Sequence, residues 1–154
     1  FMLLYLFLVR NYERVEIIFI RHTQVAKEVD EEEFFYSKET GGTLVSTSLE
    51  LMREIIDERF PPTQWNIFAC QASDGDNWPE DSHVATDLLT NQILPISQYY
   101  AYVEIKRSAG RPSDLWPFYE KIAGQMDNLS MTVINDVTDI YPVFRKLFEK
   151  RGVK

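Results

Sequence analysis

Apolar positions along the chain fall into short blocks whose period changes, and the changes mark an alternation of strand and helix. Phe1 to Tyr12 is apolar on more than one stripe, which predicts a helix buried on most sides. Val15 to Ile20 (VEIIFI) is short, β-branched and almost continuously apolar, as a strand covered on both faces should be. Val25 to Val29 alternates weakly, predicting a return strand, antiparallel along the sheet edge with its charges toward water. Leu49, Met52, Ile55 and Ile56 mark an amphipathic helix from Ser46 to Phe60, stopped by Pro61-Pro62. Trp65 to Ala72 reads as the next strand, and Asp81 to Leu94 as a helix with Asp81 or Ser82 at its N-cap. Tyr99 to Ile105 is a strand, Ser113 to Met126 a helix capped by Ser113, Met131 to Ile134 a strand, and Asp136 to Lys150 a final helix.

Strand followed by helix, repeated, argues for an α/β fold: a mostly parallel sheet with helices on both faces and one antiparallel edge strand. Ligands of such folds bind at the rim formed by the C-terminal ends of the strands. Three segments should open there: Arg21 to Gln24, Glu39 to Thr43, and Ser73 to Trp78. With no internal repeat, low-complexity tract or Gly/Ser linker, residues 1–154 read as a single domain. The apolar run Phe1 to Val9 begins without Met and passes straight into Arg10-Asn11-Tyr12. It reads as a helix entered partway, so the domain is expected to be truncated at its N-terminal side. Nine residues also fall far short of the ~20 that a membrane-spanning helix needs.

Charge narrows the partners. A net charge of −8, from 24 acidic and 16 basic residues, leaves no electrostatic footprint for nucleic acid and opposes anionic lipid surfaces. The partner is therefore expected to be a protein, with no nucleic acid and no membrane involved. The one cysteine, Cys70, cannot form an internal disulfide; it sits in an apolar strand and is expected to be a buried, inert thiol. A chain without a disulfide framework fits a reducing compartment, and a cytoplasmic location is expected.

The loop after the third predicted strand carries the candidate chemistry. Asp74 and Asp76 flank Gly75, placing carboxylates where oxygen ligands would hold a hard cation, although Asp-Gly also suits a plain turn. An EF-hand is excluded, because counting from Asp74 puts Trp78 at position five and Pro79 at position six. A hydrolase or phosphotransfer enzyme using Asp74 and Asp76 is the competing class. It would need a base, an electrophile stabiliser and a shared pocket, and the sequence offers no such set, so no enzyme is expected. Trp78 is either an exposed interface anchor or a lid over the loop. His22 is read as a rim histidine hydrogen-bonded to a nearby carboxylate, His83 as a surface residue, and Trp65 and Trp116 as core. Phe34, Phe35 and Tyr36 are read as packing, and the acidic run Asp30 to Glu33 as a solvated face that would also suit a basic partner.

Three segments make the chain recognisable: KEVDEEEFFYSKETGGT (Lys27 to Thr43), WNIFACQASDGDNW (Trp65 to Trp78) and DIYPVFRKLF (Asp139 to Phe148). Over essentially the whole length it resembles the YeaH/YhbH family of bacterial proteins. That family looks like a branch of the von Willebrand factor A (VWA) superfamily, whose metal-ion-dependent adhesion site joins a first-strand Asp-x-Ser-x-Ser to a Thr and an Asp from later loops. The resemblance implies that Thr43 matches the Thr and Asp74 the Asp, with Mg or Mn as the cofactor of the longer protein. It also implies partner binding over turnover, a bacterial stress or sporulation role, and a PrkA-type serine protein kinase as a partner. Asp76, Asn77, Trp78, His22, Gly41 and Gly42 are the expected partner-binding residues around that pair.

Two departures follow. No Asp-x-Ser-x-Ser occurs in the chain, so the VWA-like sheet is expected to lack its first, central strand along with three metal ligands. The isolated chain should then bind metal weakly or not at all. Its exposed strand edges should be hidden by repacking, by an upstream segment or by a second copy, and a homodimer is expected. The second departure lies at His22-Thr23, where the family pattern suggests a histidine pair and this chain has one.

Overall fold

The structure is a computed structural model and describes residues 1–36, 42–106 and 113–148, the last without the side chain of Phe148. Its elements, in chain order, are α1 (Met2–Asn11), β1 (Phe19–His22), β2 (Ala26–Val29), α2 (Glu31–Tyr36), α3 (Val45–Arg59), β3 (Ile67–Ser73), α4 (Pro79–Leu88), β4 (Ser97–Ile105), α5 (Trp116–Ala123), β5 (Leu129–Ile134) and α6 (Ile140–Phe148). A π turn (Leu89–Ile93) and a short 3-10 turn (Leu94–Ile96) prolong α4, and a second 3-10 turn (Val137–Asp139) leads into α6. The single helix expected up to Leu94 tightens where Pro95, lacking an N–H, cannot continue the ladder.

β3, β4 and β5 form a parallel sheet in the order β3-β4-β5, and β1 and β2 form a separate antiparallel pair. The fold class is thus α/β with a parallel sheet flanked by helices, as the alternation predicted. β4 is the central strand. From Tyr100 to Glu104 every residue is buried, so both pleated faces are covered. Its Tyr100 and Tyr102 join Val45 and Leu49 of α3, Ala85 of α4, Leu89 and Ile93 of the π turn, and Tyr119 and Ile122 of α5 in the main core. Tyr102 meets the Tyr119 ring edge-on, centroids 5.0 Å apart, the geometry that aromatic quadrupoles favour.

A second, smaller apolar cluster surrounds the hairpin. Phe19 of β1 lies 4.8 Å from the Phe34 ring and 5.6 Å from that of Phe35, both on α2, and Phe1 and Tyr5 of α1 pack on the same rings. Phe34 and Phe35 are therefore packing residues, on a helix that the acidic run hid from the periodicity. Asp30 caps that helix by accepting the Glu33 N–H at 2.7 Å. The run is also tied to the chain's own arginines: Glu33 pairs with Arg21 at 2.7 Å and Glu28 with Arg59 at 2.6 Å.

Three expectations need correction. The first helix forms, but none of its residues is buried; Tyr5 packs on the aromatic cluster, and Phe7 meets the Phe144 ring of α6, centroids 5.6 Å apart. The strand expected from Val15 enters a ladder only at Phe19, since its partner β2 is four residues long. Asp81 is not the cap of its own helix, whose N-cap is Trp78; its role lies in another element.

Candidate functional site

The rim is assembled from three chain segments that reach the same end of the molecule. β1 ends at His22, and the Thr23 carbonyl just beyond accepts the Leu44 N–H at 2.9 Å. That bond pins the 42–44 segment to the hairpin and places Thr43 between two anchored neighbours. The other neighbour is Gly42, where a Cβ would stand 3.0 Å from Trp78 Nε1 and 3.5 Å from Gln24 Nε2. The lack of a side chain at Gly42 is what lets the indole approach. Trp78 is nonetheless 52% exposed, so it both covers the loop and faces solvent.

The Asp-Gly-Asp turn leaves the end of β3. Gly75 has φ +85°, a left-handed conformation that glycine adopts without a Cβ penalty. Asp74 Oδ1 accepts the Asp76 N–H at 3.3 Å, a weak Asx-type bond, and Ser73 Oγ accepts the Gly75 N–H at 3.0 Å. The Gly75 carbonyl in turn accepts the Asp114 N–H at 3.0 Å and the Leu115 N–H at 3.3 Å, which fastens the turn to the entrance of α5. Asp74 comes within electrostatic reach of His22. Burial pushes the imidazole pKa below its ordinary value, and the neighbouring carboxylate pulls it part of the way back. His22 thus lies near the Asp74 carboxylate at the rim.

Asn77 and Asp81 face inward. Asn77 is 4% exposed; its Oδ1 accepts the Val45 N–H at 3.1 Å and its amide donates to Ser82 Oγ at 3.1 Å. Asp81 Oδ2 accepts the Ser46 N–H at 3.0 Å, and Oδ1 accepts the Ser46 hydroxyl. Val45 and Ser46 are the first residues of α3, whose own N-cap, Leu44, has no side chain for capping. The loop after β3 therefore caps α3 across a sequence separation of more than thirty residues, satisfying two orphan N–H groups and bringing a carboxylate to the positive end of the helix. This junction also sets the position of Thr43, two residues before the capped helix.

Of the residues nominated from sequence, His22, Gly42, Thr43, Asp74, Asp76, Asn77 and Trp78 belong to this one rim, with Asn77 beneath its surface. Gly41 lies outside the described residues. Thr43 and Asp74 offer the oxygen donors that Mg²⁺ or Mn²⁺ takes. Among the described residues, however, no three of His, Cys, Asp and Glu converge as a metal-binding group. These two alone do not fill a metal's coordination shell.

Sequence reasoning missed Asp81 in its true role, and it missed Glu104. The latter is 0% exposed at the end of β4, where Tyr102 donates to its Oε2 at 3.1 Å and the Lys106 ammonium meets Oε1, which has no other partner. The signal was available: an acid at the end of the apolar run YYAYVEI is costly to bury and demands a partner. Cys70 is half-buried where a buried thiol was expected, and desolvation still pushes its pKa up to about 11. His83 is exposed, with its ring 4.9 Å from that of Phe118. Trp65 and Trp116 are both half-buried, and Trp116 packs against the main core.

Among the described residues no helix is long and apolar enough to cross a membrane. No solved structure matches the chain. A UPF0229 protein of Pectobacterium carotovorum is 55% identical over 99% of the chain and 36% of its own length. One from Thiobacillus denitrificans is 58% identical over 99% of the chain and 36% of its own length, and one from Vibrio parahaemolyticus 57% identical over 97% and 35%. The chain thus spans about a third of the length of the curated relatives it matches. The family model described as "Protein of unknown function (DUF444)" matches residues 1–151. With a match that spans nearly every residue, the chain belongs to the DUF444 family of UPF0229 proteins, the YeaH/YhbH family.

Proposed function

We propose that this chain is a VWA-like, non-enzymatic binding module of a cytoplasmic bacterial protein with a stress or sporulation role. It takes hold of a protein partner through the rim that carries Thr43 and Asp74. The observation that carries this reading is the meeting of three loops at one edge: the Thr23–Leu44 bond, the Gly42–Trp78 contact and the Asp74–His22 pair. A preformed rim with a half-exposed tryptophan, an imidazole and two carboxylates suits recognition, since aromatic anchors in a rigid frame lose little entropy on binding. In the longer protein, further oxygen ligands would complete a Mg²⁺ or Mn²⁺ shell around Thr43 and Asp74, leaving a position for a carboxylate of the partner.

A PrkA-type serine protein kinase is the partner we propose. Binding of the purified kinase to the full-length protein, measured by calorimetry with Mg²⁺ and with EDTA, tests the reading. Asp74→Ala and Thr43→Ala should each weaken capture at least about tenfold, the ~1.4 kcal/mol of one lost ligand contact, and EDTA should do the same. Capture that ignores both substitutions and the chelator would overturn the rim as the binding surface.

A further inference from the structure

We infer that Glu104, which lies outside the three rim loops, is the positioning residue of the Asp74–Asp76 turn, its buried carboxylate forming the floor on which Gly75 is seated. The inference deepens the rim reading and rests on it for its functional meaning. In the parallel register Ser73 of β3 stands opposite Glu104 of β4, so the turn begins directly beside this side chain. A Cβ on Gly75 would stand 2.8 Å from Glu104 Oε2 and 2.5 Å from Ser113 Oγ. The turn is thus held from two sides, by the carboxylate and by the segment entering α5, with no room for a methyl group.

The floor is itself fixed. Tyr102, two residues back on the same face of β4, donates to Oε2, and its ring is held in the core by Tyr119 and Trp116. Lys106, two residues forward, meets Oε1, and its backbone N–H donates to the Ile134 carbonyl of β5 at 2.9 Å. An apolar side chain of similar size would fill the space but leave Lys106 and the Tyr102 hydroxyl without their shared acceptor. Glu104 therefore joins Tyr102 of the central strand and Lys106 just past its end to the underside of the turn that presents Asp74.

Hydrogen–deuterium exchange of the full-length protein tests this, read on segments 74–78 and 113–116, which hold the amides of Asp76, Asp114 and Leu115. Glu104→Ala should speed exchange there roughly tenfold while segment 49–56, inside α3, keeps its wild-type rate. Glu104→Gln, which preserves shape and an acceptor oxygen, should restore most of the protection. A merely structural glutamate would loosen all these segments alike. Should Glu104→Ala unfold the domain, Gly75→Ala decides, because its methyl pushes the turn off the same floor while residue 104 stays a glutamate. Wild-type exchange in both turn segments in either folded variant overturns the inference. Since partner capture is not the readout, failure here leaves the rim proposal standing, and failure of the kinase experiment leaves the seating of the turn standing.

Discussion

Cys70 shows how local surroundings decide what a reactive residue type can do. It occupies an interior position of β3, and burial carries its pKa from the ordinary 9.0 to about 11. Only the thiolate is a nucleophile, so at pH 8 the native thiol should alkylate about a hundredfold more slowly than in the chain unfolded by urea. Equal rates in the two states would show that the thiol is not shielded. The sign of the stability effect follows from the same shift. The unfolded chain loses its thiol proton first, so the stabilising contribution is intact below pH 9 and is lost as pH rises toward 11. This residue was legible in sequence because its neighbours in the chain are also its neighbours in the strand. Glu104 was missed although its partners Tyr102 and Lys106 lie two residues either side, because the turn it meets at Gly75 is remote in the chain.

At the scale of elements, the N-terminus of α3 depends on side chains from another part of the chain. Asn77 and Asp81 accept the N–H groups of Val45 and Ser46, and Asp81 also takes the Ser46 hydroxyl. Asp81→Ala removes two buried bonds and the charge facing the helix dipole, and should cost about 2–3 kcal/mol in urea denaturation; Asn77→Ala should cost about 1 kcal/mol. A loss below about 0.5 kcal/mol for Asp81→Ala would mean that water caps this helix equally well. Periodicity gave most of the helices and strands to within a few residues. It assigned Asp81 to the wrong helix because capping rules read only adjacent positions, whereas here the cap comes from a residue 35 positions away. α2 escaped notice for a related reason. Three glutamates open it, and its apolar content is two phenylalanines whose partners lie on α1 and β1.

The molecule as a whole carries two sheets that end without meeting in a common ladder among the described residues. β2 bears Lys27 and Glu28, charges of the kind that blunt a true edge. β3 is different: Ile67 to Ser73 contains neither charge nor proline, and Phe68 is 68% exposed. A parallel strand of this composition normally has neighbours on both sides. Among the described residues no strand pairs with the far side of β3. The relatives extend well beyond the matched region, as the chain covers only 36% of the Pectobacterium protein. The 154-residue chain in isolation has only itself. It should therefore self-associate at micromolar concentration, edge to edge through β3, and light scattering should report a dimer. Phe68→Lys, which places a charge on the exposed edge without entering the core, should shift the population to monomer at unchanged helical circular dichroism. A wild-type chain that stays monomeric with its sheet intact, or a Phe68→Lys chain that dimerises as before, would show that the edge of β3 is not the surface through which this domain associates.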